Sequence, residues 1–277
     1  MTGPIITLLS DFGTSDGYAA AMKGVILDVV PNAILVDAAH DIRAHDIQAA
    51  SWALAQYAFT FPEGTTHIAV VDPDVGTDRD LLVATAGGHT FFAPNNGLVH
   101  WISRSAAGFE VRRIRDDVSR PEGKSNTFHG RDVLAYAAAR LARGFDSIDS
   151  ITEPLQELVM PQWGEVRSRG EGLEGEVIHV DRFGNLITNI HRTYLEQAGW
   201  KEVALEAGAG TISNLCKTYG DVLPGEPLVL IGSHDHLEIA VCHGSAASAM
   251  GLKRGAKIIV RGGAKVGSPG FAGGESL

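Results

Sequence analysis

Two segments in the N-terminal half carry residue types that could do acid–base chemistry. The segment 72–79 starts with Asp72 after an apolar run and ends with Arg79, and a loop of this length can fold back to pair the two side chains. Such a pair would keep the carboxyl group ionised, or it would be a structural ion pair that pins the loop. His129 lies in the segment 125–132 before a predicted helix, where an imidazole could move protons or be a surface residue.

Two further segments have the residue types of a nucleoside-binding site. Asp11 follows the first apolar run and could accept hydrogen bonds from a pair of ligand hydroxyl groups, or it could cap a helix. Its Asp-Phe-Gly triplet has no Gly-rich loop before it and does not indicate a kinase. In the segment 181–189, Phe183 could stack on an adenine ring and Asn185 could pair with its edge, or the segment is a hairpin turn.

Several histidines have the spacing of weak metal-binding motifs. His234 and His236 alternate along a predicted strand and would lie on one face of it, and His-Asp pairs stand at 40–41 and 45–46. The chain offers no third ligand at a diagnostic spacing. We therefore predict a site without a metal ion, and a metallohydrolase is a less favoured alternative.

Hydrophobic periodicity predicts the elements that position these residues. Apolar runs predict strands at 4–10, 33–36, 67–71, 81–86 and 90–93. Helical spacing predicts helices from Tyr18 to a stop at Pro31, at 48–59 and at 132–142. Alternating strands and helices predict an α/β layered domain with a largely parallel sheet. Ligands of such domains bind beyond the carboxyl ends of the strands, which Asp11 and Asp72 follow.

The C-terminal half has a different pattern. Short apolar stretches separated by glycines predict a small β-barrel-like domain, with strands at 175–180, 202–205, 227–231, 237–241 and 256–260. We predict an α/β catalytic domain at 1–155, a linker at 156–172, the β-barrel domain at 173–265 and a flexible tail at 266–277.

Composition limits the partners and the compartment. The formal net charge of −10 disfavours nucleic acid as a partner. The two cysteines, Cys216 and Cys242, form neither a CxxC pair nor a disulfide framework. No apolar run approaches the ~18 residues that span a bilayer, and the first residues do not resemble a signal peptide. We expect a cytoplasmic protein that acts on a small molecule, with no membrane partner.

Six segments, in this order, resemble the S-adenosyl-L-methionine (SAM) hydrolase family, also called SAM hydroxide adenosyltransferase: SDFGTSDGYAAAMKG, FPEGTTHIAVVDPDVGT, FFAPNNGL, TFHGRDVLA, DRFGNLITN and LEIAVCHGSAA. The resemblance implies hydrolysis of SAM to adenosine and L-methionine by water, with SAM as the substrate and no cofactor. It also implies an α/β domain followed by a small β-barrel, and homotrimers whose active sites lie between one subunit's N-terminal domain and a neighbour's C-terminal domain.

The resemblance assigns roles residue by residue. It implies that the catalytic residues are Asp72, Arg79 and His129. It implies a substrate-binding set in which Asp11 binds the ribose hydroxyls, Asp16, Asp181 and Ser233 surround the methionine end, Phe128, Phe183 and Asn185 surround the adenosine, and Tyr18 and Glu238 lie in shared binding segments.

Related enzymes supply the alternatives. The family is similar to the SAM-dependent fluorinase and chlorinase, in which the position of Asp72 is typically tyrosine and that of His129 is not histidine. A hydrolase is therefore favoured over a halogenase, and the complete trio disfavours a non-catalytic SAM or adenosine sensor. Departures from the family pattern concern affinity and substrate preference more than reaction type; they are Asp74, His45, the triplet 234–236 and the pair 242–243.

Overall fold

The computed structural model describes residues 3–208, 210–213 and 215–262. The chain divides into two compact units between Pro161 and Gln162. This division lies inside the predicted linker, 156–172, whose ends remain predictions. The predicted flexible tail, 266–277, lies outside the described residues.

A seven-stranded mixed sheet forms the centre of the first unit. Its strands are β1 (Ile5–Ser10), β2 (Ile34–Ala39), β3 (Thr66–Val70), β4 (Leu81–Ala86), β5 (His89–Pro94), β6 (Glu110–Ile114) and β7 (Thr152–Glu153). The order is β2-β1-β3-β5-β4-β6-β7, parallel from β2 to β5 and antiparallel from β5 to β7. Because β1 and β3 are parallel neighbours, Asp11 and Asp72 follow strand ends at the same edge of the sheet.

Helices cover both faces of this sheet. They are α1 (Tyr18–Val29), α2 (Ile47–Ala58), α3 (His100–Ser105), α4 (Tyr136–Arg143) and α5 (Ile148–Ile151). Alternate residues of β1 belong to different cores: Leu8 packs in the cluster that contains α1 and α4 residues, and Leu9 in the cluster that contains α2 and α3 residues. Alternation of side chains across a strand explains this division. The α/β layered class that the sequence predicts is confirmed.

The helix before α4 differs from the prediction. The sequence predicts a regular helix at 132–142, whereas Gly130–Ala135 forms a π-helical turn that continues directly into α4. At Gly130, an added Cβ would lie 3.1 Å from the Val70 side chain at the end of β3. A glycine therefore allows this wide turn to approach the sheet edge closely.

The second unit is a curled, largely antiparallel sheet of nine strands, a half-barrel. Its strands are β8 (Arg167–Arg169), β9 (Gly172–Val180), β10 (Leu186–His191), β11 (Val203–Ala207), β12 (Gly210–Ile212), β13 (Leu215–Cys216), β14 (Pro227–Ile231), β15 (His236–Val241) and β16 (Lys257–Gly262). The order is β12-β11-β16-β9-β10-β15-β14-β13, and β8 also pairs with β9. Two short helices, α6 (Arg192–Gln197) and α7 (Ala246–Met250), and a 3₁₀ turn at Tyr219–Asp221 complete it.

Part of the predicted linker is a strand. The β8 strand pairs antiparallel with the start of β9, and Gly170 takes a positive φ of 61° in the turn between them. Arg169 Nη1 donates a hydrogen bond of 2.6 Å to Glu174 Oε2 across this hairpin. The turn residue and the cross-strand pair favour a hairpin where polar composition alone indicates a loop.

A membrane-spanning segment is absent from the helices described. None of them combines the length and the apolar character that crossing a bilayer requires.

Candidate active site

A cavity of about 320 Å³ opens at the carboxyl ends of β1 and β3 in the first unit. Six of the predicted site residues line it, which are Asp11, Asp16, Tyr18, Asp72, Phe128 and His129. The other lining residues are Phe12, Ala44, His45, Val70, Val75, Thr127 and Gly130. Two acidic loops and one aromatic, histidine-bearing loop therefore meet at the sheet edge that the strand order indicates.

Arg79 joins Asp72 to His129. Its Nε donates to Asp72 Oδ1 over 2.6 Å, and its Nη2 donates to Oδ2, so the pair is bidentate. The Arg79 Nη1 and Nη2 atoms lie 3.1 and 3.2 Å from Nδ1 of His129. The Asp72 and Arg79 side chains are 5% and 8% exposed, so water screens this ion pair only weakly. The guanidinium thereby fixes the carboxylate and the imidazole at once.

The direction of these hydrogen bonds determines the form of His129. A guanidinium only donates, so His129 Nδ1 accepts, and the hydrogen of the neutral ring is on Nε2. Burial lowers the pKa of His129, and the charges of Arg79 and Lys124 lower it further, against the opposing effects of Asp72 and Asp132. His129 is therefore neutral near pH 7, with Nε2–H as a donor.

The loop that carries His129 is held by Asp132. This carboxylate is buried and accepts hydrogen bonds from Ser125 N (2.9 Å), Arg131 Nε (2.7 Å) and Arg131 Nη2 (3.0 Å). Burial alone would raise the pKa of Asp132, but the bonds from Arg131 and Ser125 lower it. An ionised Asp132 thus closes the loop 125–132 and helps to fix His129, the residue that precedes the π-helical turn.

The 72–79 loop packs against the same segment. Gly76 has a φ of 87°, and an added Cβ would lie 2.5 Å from the carbonyl oxygen of Asn126. Only glycine fits this close approach without strain. Asp74, one of the departures from the family pattern, is exposed, and its carbonyl accepts a hydrogen bond of 2.8 Å from Thr77 Oγ1 within the turn.

Asp11 is held by the segment that follows β2. Its Oδ2 accepts a hydrogen bond of 2.9 Å from the backbone N–H of His45. His45 adopts a φ of 66°, which is unusual for a residue with a side chain. The helix-capping role that the sequence left open for Asp11 is not observed, because α1 has Gly17 at its N-cap and no side-chain cap.

Three aromatic rings form one wall of the cavity. The ring centroids of Phe12, Tyr18 and Phe128 are separated by 5.6, 5.7 and 5.3 Å, and the contacts are tilted or edge-to-face. The guanidinium of Arg131 lies 4.8 Å from the centroid of Phe128. Tyr18 is half exposed, so this cluster presents an apolar surface that a flat ligand could contact.

In the second unit, Asp181 organises the loop between β9 and β10. Its Oδ1 accepts from the backbone N–H groups of Phe183 (2.9 Å) and Asn185 (2.8 Å), and its Oδ2 accepts from Asn185 Nδ2 (2.9 Å). Gly184 has a φ of 85°, and an added Cβ would collide with Ser245. Phe183 projects with 76% of its surface exposed. The segment is therefore the turn with a positive-φ glycine that the sequence left open, and the adenine-binding role of Phe183 and Asn185 stays a prediction.

Glu238 is the centre of a second polar group in this unit. It is 3% exposed, accepts a hydrogen bond of 2.7 Å from Tyr219 Oη, and lies 3.2 Å from His234 Nε2. Ser233 is exposed in the turn that precedes β15, where Asp235 has a φ of 60°. The first unit carries Asp11, Asp16, Tyr18, Asp72, Arg79, Phe128 and His129, and the second carries Asp181, Phe183, Asn185, Ser233 and Glu238.

The histidine pattern does not form a recognisable metal centre. His236 Nδ1 donates to the carbonyl oxygen of Thr188 over 2.9 Å, and burial, His234 and His191 lower its pKa to about 4. Within residues 3–208, 210–213 and 215–262, no three His, Cys, Asp or Glu side chains are grouped so that they could hold a metal ion. Cys242, another departure, is buried beside Leu228 and Leu230.

Sequence reasoning missed four residues that shape these sites, which are Phe12, His40, Asp132 and Tyr219. Phe12 lies inside a motif that the sequence already singled out, and Asp132 follows His129 at the start of a helix, so both were within reach. Tyr219 contacts Glu238 across 19 residues, and His40 acts through a partner 30 residues away. Neither of these two pairs leaves a local signal in the sequence.

Comparison with known proteins gives a consistent result. Models of the SAM hydroxide adenosyltransferase N-terminal and C-terminal domains match residues 6–152 and 175–259. A Thermus thermophilus protein named (R)-S-adenosyl-L-methionine hydrolase is 39% identical over 90% of this chain and 96% of its own length. A protein from Actinoplanes sp. named fluorinase is 28% identical over 93% of this chain and 97% of its own.

A crystal structure of an uncharacterized conserved protein from Thermotoga maritima has a similar fold. It has a TM-score of 0.84 and 30% sequence identity, and the match covers 92% of this chain and 99% of that protein. The two domain models together span most of the sequence, and the cavity lies in the part that the N-terminal model covers. The chain therefore belongs to the SAM hydroxide adenosyltransferase family.

Proposed function

We propose that this chain hydrolyses SAM to adenosine and L-methionine through attack of water on C5′ of the ribose. The observation that carries the proposal is the buried Asp72–Arg79–His129 unit beside a cavity at the carboxyl ends of parallel strands. Family membership supports the choice of substrate, because relatives that span nearly the whole chain carry the name of a SAM hydrolase.

The main catalytic requirement of this reaction is to position a water molecule for attack on C5′. The C5′–S bond breaks, and its electron pair goes to the sulfonium sulfur, which leaves as the neutral thioether of methionine. The C5′–O bond forms with the oxygen of water, and one proton is released. Because the leaving group is already cationic, no acid has to protonate it. Positioning and orientation of the nucleophile can lower such a barrier by several kcal/mol.

The hydrogen-bond directions suggest how the water is held. Asp72 accepts a hydrogen bond from the water and takes up its proton as the C5′–O bond forms. Nε2–H of His129 donates to the water oxygen, which keeps a lone pair free for C5′. Arg79 is too basic to act as the proton acceptor, and its hydrogen bonds hold the other two side chains in place.

The remaining predicted residues bind substrate in this proposal. Asp11 accepts from the ribose hydroxyls, Phe128 and Tyr18 contact the nucleoside, and Asp16 approaches the methionine end. The residues of the second unit bind the same substrate in this proposal. Phe183 and Asn185 lie at the adenosine, Asp181 and Ser233 at the methionine end, and Glu238 in a shared binding segment. The homotrimer that the family resemblance implies would supply these two sets from neighbouring subunits.

We further propose that the enzyme is cytoplasmic and needs no metal ion or other cofactor. The motivation for metal independence is the set of side chains at the site, a carboxylate, a guanidinium and an imidazole that are hydrogen-bonded to each other. Turnover should survive exhaustive dialysis against EDTA. Loss of turnover that Zn²⁺ or Mn²⁺ restores would contradict the metal-independent proposal.

A halogenase is the competing function, because a fluorinase is among the relatives. The ionised Asp72 argues against it, since a carboxylate beside the nucleophile repels halide and attracts a water hydrogen. The test is incubation with SAM at high chloride and at high fluoride, followed by product analysis. We expect adenosine and methionine in equal amounts under both conditions. A dominant 5′-halo-5′-deoxyadenosine would instead identify a halogenase.

A further inference from the structure

A chain of hydrogen bonds lies behind Asp11, outside the set of site residues, and runs from the buried Ser10 and His40 to Asp37 and Lys23 at the surface. Ser10 Oγ is 2.7 Å from His40 Nδ1, and His40 Nε2 is 2.9 Å from Asp37 Oδ1. Lys23 Nζ donates to Asp37 Oδ2 over 2.6 Å. Ser10 and His40 are 1% and 7% exposed, so the serine hydroxyl is not placed to meet a substrate. The arrangement resembles a catalytic triad in composition only.

The carboxylate of Asp37, at one end of the chain, determines the directions of these hydrogen bonds. An ionised carboxylate only accepts, so His40 Nε2 donates to Asp37. In the neutral ring, Nδ1 then accepts the hydroxyl hydrogen of Ser10. Burial alone would raise the pKa of Asp37, but the bonds from Lys23 and His40 lower it, which keeps it ionised as the fixed end of the chain. The Ser10 oxygen also accepts from the backbone N–H of Phe12 at 3.3 Å.

His40 holds the Asp11 loop at both of its ends. Its side chain binds Ser10, the residue before Asp11, and its carbonyl oxygen accepts a hydrogen bond of 2.7 Å from Gly13 N–H. Five residues further on, His45 N–H binds the Asp11 carboxylate itself. The segment from His40 to His45 therefore fixes the backbone on either side of Asp11 and the side chain between.

We propose that His40 is a positioning residue that aims the Asp11 carboxylate at the ribose hydroxyls, with Ser10 and Asp37 as its two partners. The inference rests on the proposed role of Asp11 in SAM binding. His40 does not touch the substrate in this account. It acts by holding the end of β1 and the Asp11 loop against the end of β2, which places Asp11 beside the cavity.

Ribose discrimination tests this role. The probes are adenosine and 2′,3′-dideoxyadenosine, whose dissociation constants are measured by calorimetry. We expect the parent protein to bind adenosine about 10- to 100-fold more tightly, because a carboxylate accepts two hydroxyl hydrogens. His40→Gln can still reach Asp37 but loses Ser10, and Ser10→Ala loses the same contact from the other side. Both variants should bind the two ligands with nearly equal affinity, as Asp11→Ala should.

A matched histidine on the same sheet provides the control. His67 forms a similar buried bond, from Nδ1 to Thr7 Oγ1 of β1 at 2.8 Å, but it does not contact the Asp11 loop. His67→Gln should therefore lower the melting temperature and leave the preference for adenosine unchanged. Damage that is only structural would weaken the binding of both ligands by the same factor.

Each outcome decides the inference. If His40→Gln and Ser10→Ala fold but keep the full preference for adenosine, His40 does not position Asp11 and the inference is wrong. If His40→Gln does not fold, Ser10→Ala alone decides. If the parent protein itself shows no preference, the ribose role of Asp11 and the inference on His40 are both wrong. The formation of adenosine and methionine from SAM, measured separately, shows whether the proposed hydrolysis stands in that case.

Discussion

At the scale of single residues, hydrogen-bond directions separate the roles of Asp72, Arg79 and His129. Arg79 donates to both neighbours, so Asp72 is an acceptor and His129 keeps its hydrogen on Nε2. In the proposed mechanism, Asp72 accepts from the attacking water and His129 donates to it. The proposed role of Asp11 is different, because the ribose hydroxyls that it would bind are present in the ground state and the transition state alike. Groups of the first type affect kcat, and groups of the second type affect affinity.

Substitution at these residues should therefore split into two classes. We expect Asp72→Asn and His129→Ala to lower kcat by roughly 10²–10⁴-fold, since each removes a group that handles the water, while SAM binding changes little. Asp11→Ala should mainly raise the dissociation constant of SAM. Calorimetry and single-turnover rates measure the two quantities separately, and thermal melts check the fold. Near-normal rates in folded Asp72→Asn and His129→Ala would mean that the trio is structural.

The pH dependence of turnover follows from the lowered pKa of His129. Protonation would place an N–H against Arg79, so activity needs the neutral ring and should be lost only below the ordinary pKa of about 6.5. Lys124 is one cause of the lowering, so Lys124→Gln should move the acid limb of kcat to higher pH. Lys201→Gln, a change in the second unit, is the control. An acid limb that stays in place or moves to lower pH in Lys124→Gln contradicts this account.

At the scale of elements, the sequence predicts the parts whose signal is local. The spacing of Tyr18, Met22 and Ile26 predicts α1, and the apolar runs before Asp11 and Asp72 predict β1 and β3, as observed. The same strands place both carboxylates at one sheet edge. The class of the fold and the meeting of Asp11 and Asp72 at one sheet edge could therefore be predicted without coordinates.

The π-helical turn could not be predicted in this way. Its wide backbone depends on how closely Gly130 approaches Val70 of β3, which is a contact between residues 60 positions apart. The hydrogen bond between Ser10 and His40 is likewise a tertiary contact, between residues 30 positions apart. Local periodicity contains no information on such pairs, so the sequence predicts which strand ends carry Asp11 and Asp72 but not how the side chains around them are oriented.

A buried histidine pair makes the first unit sensitive to acid. Burial, and then His89, lower the pKa of His67 to about 3, so the folded protein keeps this ring neutral. The unfolded chain binds a proton near pH 6.5, so the stability contribution is complete above about pH 6.5 and is lost as the pH falls towards 3. We expect the melting temperature to fall less on acidification in His67→Gln than in the parent. An equal fall in both proteins would show that His67 does not contribute.

At the scale of the whole molecule, the predicted site residues are shared between two compact units. The family resemblance implies a trimer in which neighbouring chains supply the two sets. Mixing two impaired variants and assaying them at subsaturating SAM tests this arrangement. Subunit exchange between Asp72→Asn and Phe183→Ala should restore activity at about a quarter of the sites, because some pairs of neighbours then combine two unaltered units.

The control for this experiment is a mixture of Asp72→Asn and His129→Ala. Both changes lie in the first unit, so no exchange can produce an unaltered copy of it, and activity should stay low. Differently tagged chains that copurify would prove that exchange took place. Exchange without recovery of activity in the Asp72→Asn and Phe183→Ala mixture would mean that each chain completes its own site.

The origin of the oxygen in the product tests the central claim most directly. SAM is turned over in water enriched in ¹⁸O, and the adenosine and methionine are analysed by mass spectrometry. We predict that ¹⁸O enters the 5′-hydroxyl of adenosine, one atom per molecule, and that equal amounts of unlabelled methionine form. Asp72→Asn, which should be nearly inactive, should form almost no labelled adenosine. Formation of 5′-methylthioadenosine, or adenosine without the label, would contradict water attack at C5′.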